Sequence, residues 1–142
     1  MIDLFIGENF YLSNFYEAPV EYNGIVYPHT ESAFQAQKCL SKLVQEEFKY
    51  LKPGQAKRYG KKVPLREDWE QVKDNIMYEV CLAKFKQHKD LAEKLIATGD
   101  EELAEGNNWG DTYWGTVDGV GKNMLGKVLM RVRSEIQKND RA

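Results

Sequence analysis

"EDWEQVKDNIMYEVCLAKFKQ", residues 67–87, is the stretch on which the fold turns. Trp69, Val72, Ile76, Val80 and Ala83 recur at near-helical spacing, with Met77 beside them. That periodicity predicts one long amphipathic helix over 67–87. The same signal continues outward. "KDLAEKLIATG" (89–99) reads as a helix stopped by Gly99. A last helix is expected over 122–138, with Leu125, Val128, Leu129 and Val132 inward. Upstream, Pro53 opens a short helix through Arg58 that Gly60 ends, and "VQEEFKYL" (44–51) is helical. Thr30 is read as the N-cap of a helix running to Leu40 or Leu43.

Strand signals are few. "VEYNGIVYP" (20–28) is a hairpin, because Asn23-Gly24 tolerates the positive φ angles of a type I′ turn. "NFYLSNFYEAP" (9–19) is expected as a structured aromatic loop, and residues 100–126 as loop with short strands. The reading is an α+β fold, mainly α, in a single domain over 1–142 with an N-terminal hairpin.

Composition narrows the function. The 142 residues are 42% hydrophobic and 30% charged, which suits one globular core. The formal net charge is −2, so bulk charge does not favour duplex nucleic acid. A local basic run, Lys57, Arg58, Lys61, Lys62 and Arg66, suits either a phosphate or solvent. Two cysteines, Cys39 and Cys81, without a CxxC spacing, read as reduced thiols in a cytoplasmic protein. His29 and His88 make no close zinc-ligand pair. The first residues lack a signal-peptide pattern, and no apolar run is long enough to cross a membrane. Residues 119–127, "GVGKNMLGK", fail as a dinucleotide fingerprint at Met124 and as a P-loop at Val128. No serine has nucleophile-elbow glycines.

Two polar-aromatic segments hold the chemistry. In "TESAFQAQK" (30–38), with Glu31 at zero, Gln35 falls near about 40° and Lys38 near about −20°. Ala33, Ala36, Leu40 and Leu43 fall on the other side, so helical geometry alone turns the polar stripe to solvent. Phe34 on its flank and the aromatics of residues 10–16 point the other way, toward a covered site. In residues 107–115, Asn107-Asn108, two Trp-Gly pairs and Asp111 occur together. Such tryptophans either plug a core or stack on a flat heterocycle.

Taken in order, "LSNFY", "YPHTESAFQAQK", "VPLREDW", "AKF", "LIATGDEELAEGNNWGDTYWG" and "GKNMLGKVLMRVR" resemble the NADAR (YbiA-like) superfamily, over about Phe10 to Arg133. The resemblance implies a mostly helical fold and hydrolysis of the bond between a ribosyl C1′ and a base nitrogen. The substrates implied are riboflavin-pathway ribosyl intermediates or ADP-ribosylated guanine in nucleotides or nucleic acid. It places characteristic polar positions at Asn14, Glu31, Lys38, Asp111 and Asn123, and aromatic ones at Trp69 and Trp114. "EGNNWGD" departs from the family pattern, which bears on the leaving group more than on the chemistry.

Such a reaction builds positive charge on the ribose as the base leaves. Glu31, Lys38 and Asp111 are the expected catalytic residues, with no metal and no cofactor. Either Glu31 or Asp111 activates water, or Lys38 attacks C1′ as a neutral amine to give an imine. A neighbouring carboxylate normally raises a lysine pKa, so the second route needs burial. Tyr11, Trp109 and Trp114 are expected to stack on the base or adenine, and Trp69 and Gly115 to border the site. Arg58 with Lys57 is expected to hold phosphate, as are the amides opening the last helix. Asn14 and Asn123 are expected on ribose hydroxyls. The expected partner is a nucleotide-type small molecule or ADP-ribosylated nucleic acid, with no membrane. A module that binds ADP-ribose or NAD without turnover is the alternative.

Overall fold

Asn23 and Gly24, with φ of 51° and 85°, reverse the chain between β1 (Val20–Tyr22) and β2 (Ile25–Tyr27). Positive φ at both central residues gives the hairpin expected of Asn-Gly. The strands are antiparallel, with Val20 opposite Tyr27 and Tyr22 opposite Ile25. The computed structural model describes residues 1–141 and groups them into two compact units.

One unit, Asn14–Gln87, holds the hairpin and four helices: α1 (Thr30–Ala36), α2 (Lys42–Glu47), α3 (Pro53–Tyr59) and α4 (Trp69–Gln87). A 3-10 turn over Phe48–Tyr50 joins α2 toward α3. α1 is its centre, contacting the hairpin, α3 and α4. Accordingly all seven residues of α1 are buried.

α4 confirms the helix read over 67–87, but its buried face is rotated. Ile76, Met77, Val80, Cys81, Lys84 and Phe85 are buried, whereas Val72 and Ala83 are only half-buried. On a helical wheel starting at Trp69, the buried arc runs from about −20° to about 160°, and Lys84 falls near its middle, at about 60°. Lys84 is only 1% exposed. Its ammonium lies 5.6 Å from the Tyr16 ring centre and 5.2 Å from that of Phe85. Burial pulls its pKa down to about 8.

α1 differs from expectation at both ends. His29, not Thr30, is the N-cap: its Nδ1 accepts the Ser32 amide at 3.1 Å. Its Nε2 sits 3.0 Å from the Leu51 carbonyl, so the neutral tautomer protonated at Nε2 satisfies both contacts. Burial lowers the His29 pKa from 6.5. The unfolded chain therefore takes up a proton first as pH falls. Stability from this group is full above pH 6.5 and is lost as pH drops through 6.5 toward the lower folded value. Replacing His29 with Ala should cost ~1–2 kcal/mol through the lost cap and flatten that acid limb. Urea melts at several pH values would show both.

α1 also stops at Ala36, short of Leu40. Lys38 follows in a turn, its amide bonded to the Gln35 carbonyl at 3.2 Å. Leu40 and Leu43, assigned inward by the wheel, are 74% and 80% exposed, because the helix that would have turned them in has ended.

The other unit, Met1–Ser13 with the chain from His88 onward, pairs α5 (Lys89–Ala97) with α6 (Met124–Arg141). Leu91 and Leu95 of α5 are buried, as are Leu125, Val128, Leu129, Val132 and Ile136 of α6. Arg133 ties the helices to the following turn, donating to Thr98 Oγ1 at 2.9 Å and the Glu101 carbonyl at 2.8 Å. Gly99 ends the α5 region at φ 61°. Residues 7–12 form a 3-10 turn where a loop was expected. Ile2 bridges Leu103 in parallel. Among the described residues, no helix is long and apolar enough to cross a membrane.

Candidate active site

The polar stripe of α1 is buried. Glu31 is 8% and Gln35 7% exposed, which overturns the solvent-facing reading of the helical wheel. The wheel assumed one apolar side, whereas hairpin, α3 and α4 surround α1. Gln35 Nε2 donates to Glu31 Oε2 at 2.8 Å. The Glu31 amide donates to the Asn14 carbonyl at 3.1 Å. The Lys38 ammonium donates to the Gly60 carbonyl at 3.2 Å and lies 5.9 Å from the Trp69 ring centre. Trp69 is itself buried and tilted against Phe34, with ring centres 5.2 Å apart.

Burial lowers the Lys38 pKa from 10.5. Glu31 pulls it up and Lys61 pushes it down, but desolvation dominates. Glu31 thus raises this pKa as expected, but burial outweighs it and sets the net direction. Cys39 and Cys81 are buried free thiols, and burial raises both, Cys81 to about 12.

Asn14 belongs to the same unit, but its side chain is engaged. Its Oδ1 accepts Thr30 Oγ1 at 2.8 Å and its Nδ2 reaches Met77 Sδ at 3.4 Å. It braces the start of α1. Arg58 is exposed near the end of α3, the helix packed on α1.

In the other unit, Asp111 folds the tryptophan loop. Its Oδ1 accepts the amides of Tyr113 at 3.0 Å and Trp114 at 2.9 Å. Asn107 completes the turn, accepting the Asp111 amide at 3.0 Å and donating to its carbonyl at 2.9 Å. Trp109 is 60% exposed and so is no core plug. Trp114 is half-buried and packs edge-on against Tyr113, ring centres 4.9 Å apart.

The amides of Lys122, Asn123, Met124 and Leu125 donate to the carbonyls of Thr112, Gly115, Tyr113 and Trp114. The opening of α6 is therefore capped by the loop itself, where phosphate was expected. Asn123 is buried, with Oδ1 accepting the Glu105 amide and Nδ2 donating to the Leu103 carbonyl, both at 2.9 Å. Both ends of its amide are tied to backbone. Tyr11 is buried, with its hydroxyl donating to the Lys94 carbonyl at 3.2 Å, and so is packed rather than presented for stacking.

Gly115 is needed for space. A Cβ there would collide with the side chain and carbonyl oxygen of Glu105 and approach Asn107 Nδ2 to 2.8 Å. Because one of those atoms is backbone, Gly115→Ala should destabilise the protein by ~1–3 kcal/mol. A thermal melt would register the loss.

Among the described residues, no cluster of His, Cys, Asp and Glu is arranged to hold a metal ion. Sequence reading missed His29, whose capping role needs the fold to bring Leu51 beneath it. It reads Gly60 only as a helix stop and Lys84 only as part of "AKF".

Comparison with known proteins decides the family. The model of the NADAR domain matches residues 4–137. The chain belongs to the NADAR family. Among NADAR relatives, N-glycosidase YbiA of Escherichia coli K12 is 40% identical over 128 residues, spanning 87% of this chain and 79% of that protein. A riboflavin biosynthesis protein of Vibrio vulnificus is 36% identical over 133 residues, spanning 91% of this chain and 36% of the relative. The solution structure of E. coli YbiA superposes with a TM-score of 0.85 at 36% identity, covering 99% of this chain and 89% of the other. The mainly helical α+β fold is therefore that of the NADAR family.

Proposed function

We propose that this protein removes ADP-ribose from guanine in nucleotides or nucleic acid, or cleaves ribosyl intermediates of the riboflavin pathway, using Glu31 and Lys38. It is a hydrolase of N-glycosyl bonds, as its relatives named N-glycosidase are. The riboflavin branch is supported by the name of the Vibrio relative. The observation that carries the reading is buried Glu31, held by buried Gln35, on the same segment as half-buried Lys38, whose amine lies below its ordinary pKa.

In the proposed reaction, the neutral Lys38 amine attacks C1′ as the C1′–N bond to the base breaks. The bonding electrons leave with the base nitrogen. Glu31 takes the proton from the attacking amine and supplies it to the departing base. Ring opening gives an imine, and water adds to release the sugar and free the lysine. Net consumption is one water. Direct attack by water activated at Glu31 is the competing route. Asp111 suits general-base work less, because its Oδ1 holds two backbone amides. It is assigned here to shaping the loop that holds Trp109 and Trp114, and Arg58 to holding phosphate.

The proposed substrate partner is a nucleotide-type molecule or an ADP-ribosylated strand, met in the cytoplasm. Mass spectrometry of released base, run across ADP-ribosylated guanine oligonucleotides, free ADP-ribosylated guanine nucleotides and phosphorylated riboflavin precursors, tests the reading. Base release from one set is the expected result. Binding without release from any of them would favour a non-catalytic ADP-ribose module instead.

A further inference from the structure

Gly60 closes α3 with φ −60° and ψ −19°, a helical conformation open to any residue. Its lack of a side chain is therefore not a backbone requirement. It is a matter of space. A Cβ at this position would overlap Gln35 Oε1 and lie 2.7 Å from Gln35 Cδ. Gln35 is buried, its Nε2 holds Glu31, and its Oε1 has no hydrogen-bond partner. The Gly60 carbonyl meanwhile accepts the Lys38 ammonium. One backbone position thus touches Glu31 through Gln35 and Lys38 directly.

We propose that Gly60 is a positioning residue for the Glu31–Lys38 pair, setting the Gln35 amide by the side chain it lacks and Lys38 by its carbonyl. This rests on the N-glycosidase reading of that pair. The overlapping atoms are the end of a side chain, and the Ala56 carbonyl oxygen at 3.2 Å has to give only slightly, so the Gly60→Ala protein can fold by swinging Gln35 aside. That swing breaks the bond to Glu31 and disturbs the packing at Gly60, whose carbonyl holds Lys38. Lys38 is faced by Glu31 from α1, Lys61 beyond α3 and its neighbour Cys39, with Trp69 of α4 on its flank. Loosening this cover hydrates the ammonium and raises its pKa toward the ordinary lysine value.

Gly54 provides a matched control on the same helix, since a Cβ there meets only Arg58 Nη1, at an ordinary 3.5 Å. The experiment measures, for wild type, Gly60→Ala and Gly54→Ala, the pH dependence of Lys38 acetylation by peptide mass spectrometry, together with kcat. Gly60→Ala should move the Lys38 midpoint upward and lower kcat ~100-fold, with Gly54→Ala near wild type. A Gly60→Ala protein matching Gly54→Ala in both readouts overturns the inference. If wild type itself releases no base, the functional reading fails, and the Lys38 midpoint alone decides Gly60. If Gly60→Ala does not fold, Gln35→Ala/Gly60→Ala removes the overlap. A double variant equal in kcat to Gln35→Ala supports action through Gln35; one clearly slower contradicts it.

Discussion

Replacing Glu31 with Gln should leave the protein folded and lower base release by ~10²–10⁴-fold, the usual contribution of a positioned acid–base group. The change keeps the side chain's shape and its capacity to accept from Gln35 Nε2, which now holds Oε2 at 2.8 Å. Only the charge and the proton-accepting power are lost. Because the site is buried, that charge is the group that would oppose the positive ribose in the transition state. Circular dichroism separates the outcomes: native helicity with no release fits the account. Native helicity with full release removes Glu31 from the reaction.

The second large effect is expected at Lys38. Lys38→Met keeps the stem packed near Trp69 and removes the nucleophile, so turnover should fall by a similar ~10²–10⁴-fold. In the wild type, the rate should rise with pH along a limb whose midpoint lies below 10.5, because burial favours the neutral amine. Borohydride added during turnover should reduce the imine and leave sugar mass on the peptide carrying Lys38. Normal turnover with no adduct would instead assign the attack to water activated by Glu31.

Much of this was legible from local pattern. The Asn23-Gly24 turn follows from backbone preference alone, and α6 from a clean i, i+3, i+4 repeat at Leu125, Val128 and Leu129. Pro53 and Gly60 bracket α3 for equally local reasons. The failures share one cause. A helical wheel presumes a solvent side, and α1 has none, so Glu31 and Gln35 were read as surface on geometry while being buried. The rotated face of α4 hid Lys84 in the same way. The ordered motifs point to Glu31 and Lys38 where helical geometry does not, but they do not separate residues that could face a substrate from those that brace the fold. Asn14, Asn123 and Asp111 each hold backbone or neighbouring side chains, a distinction that exists only once the loops are folded.

The central claim is that the reacting sugar carbon sits at the Glu31–Lys38 pair. A crystal structure of the Glu31→Gln protein with its uncleaved substrate tests it most directly. The account predicts C1′ within about 3.5 Å of Lys38 Nζ, close enough for attack, with residue 31 beside it. A substrate bound with C1′ against neither residue would contradict it.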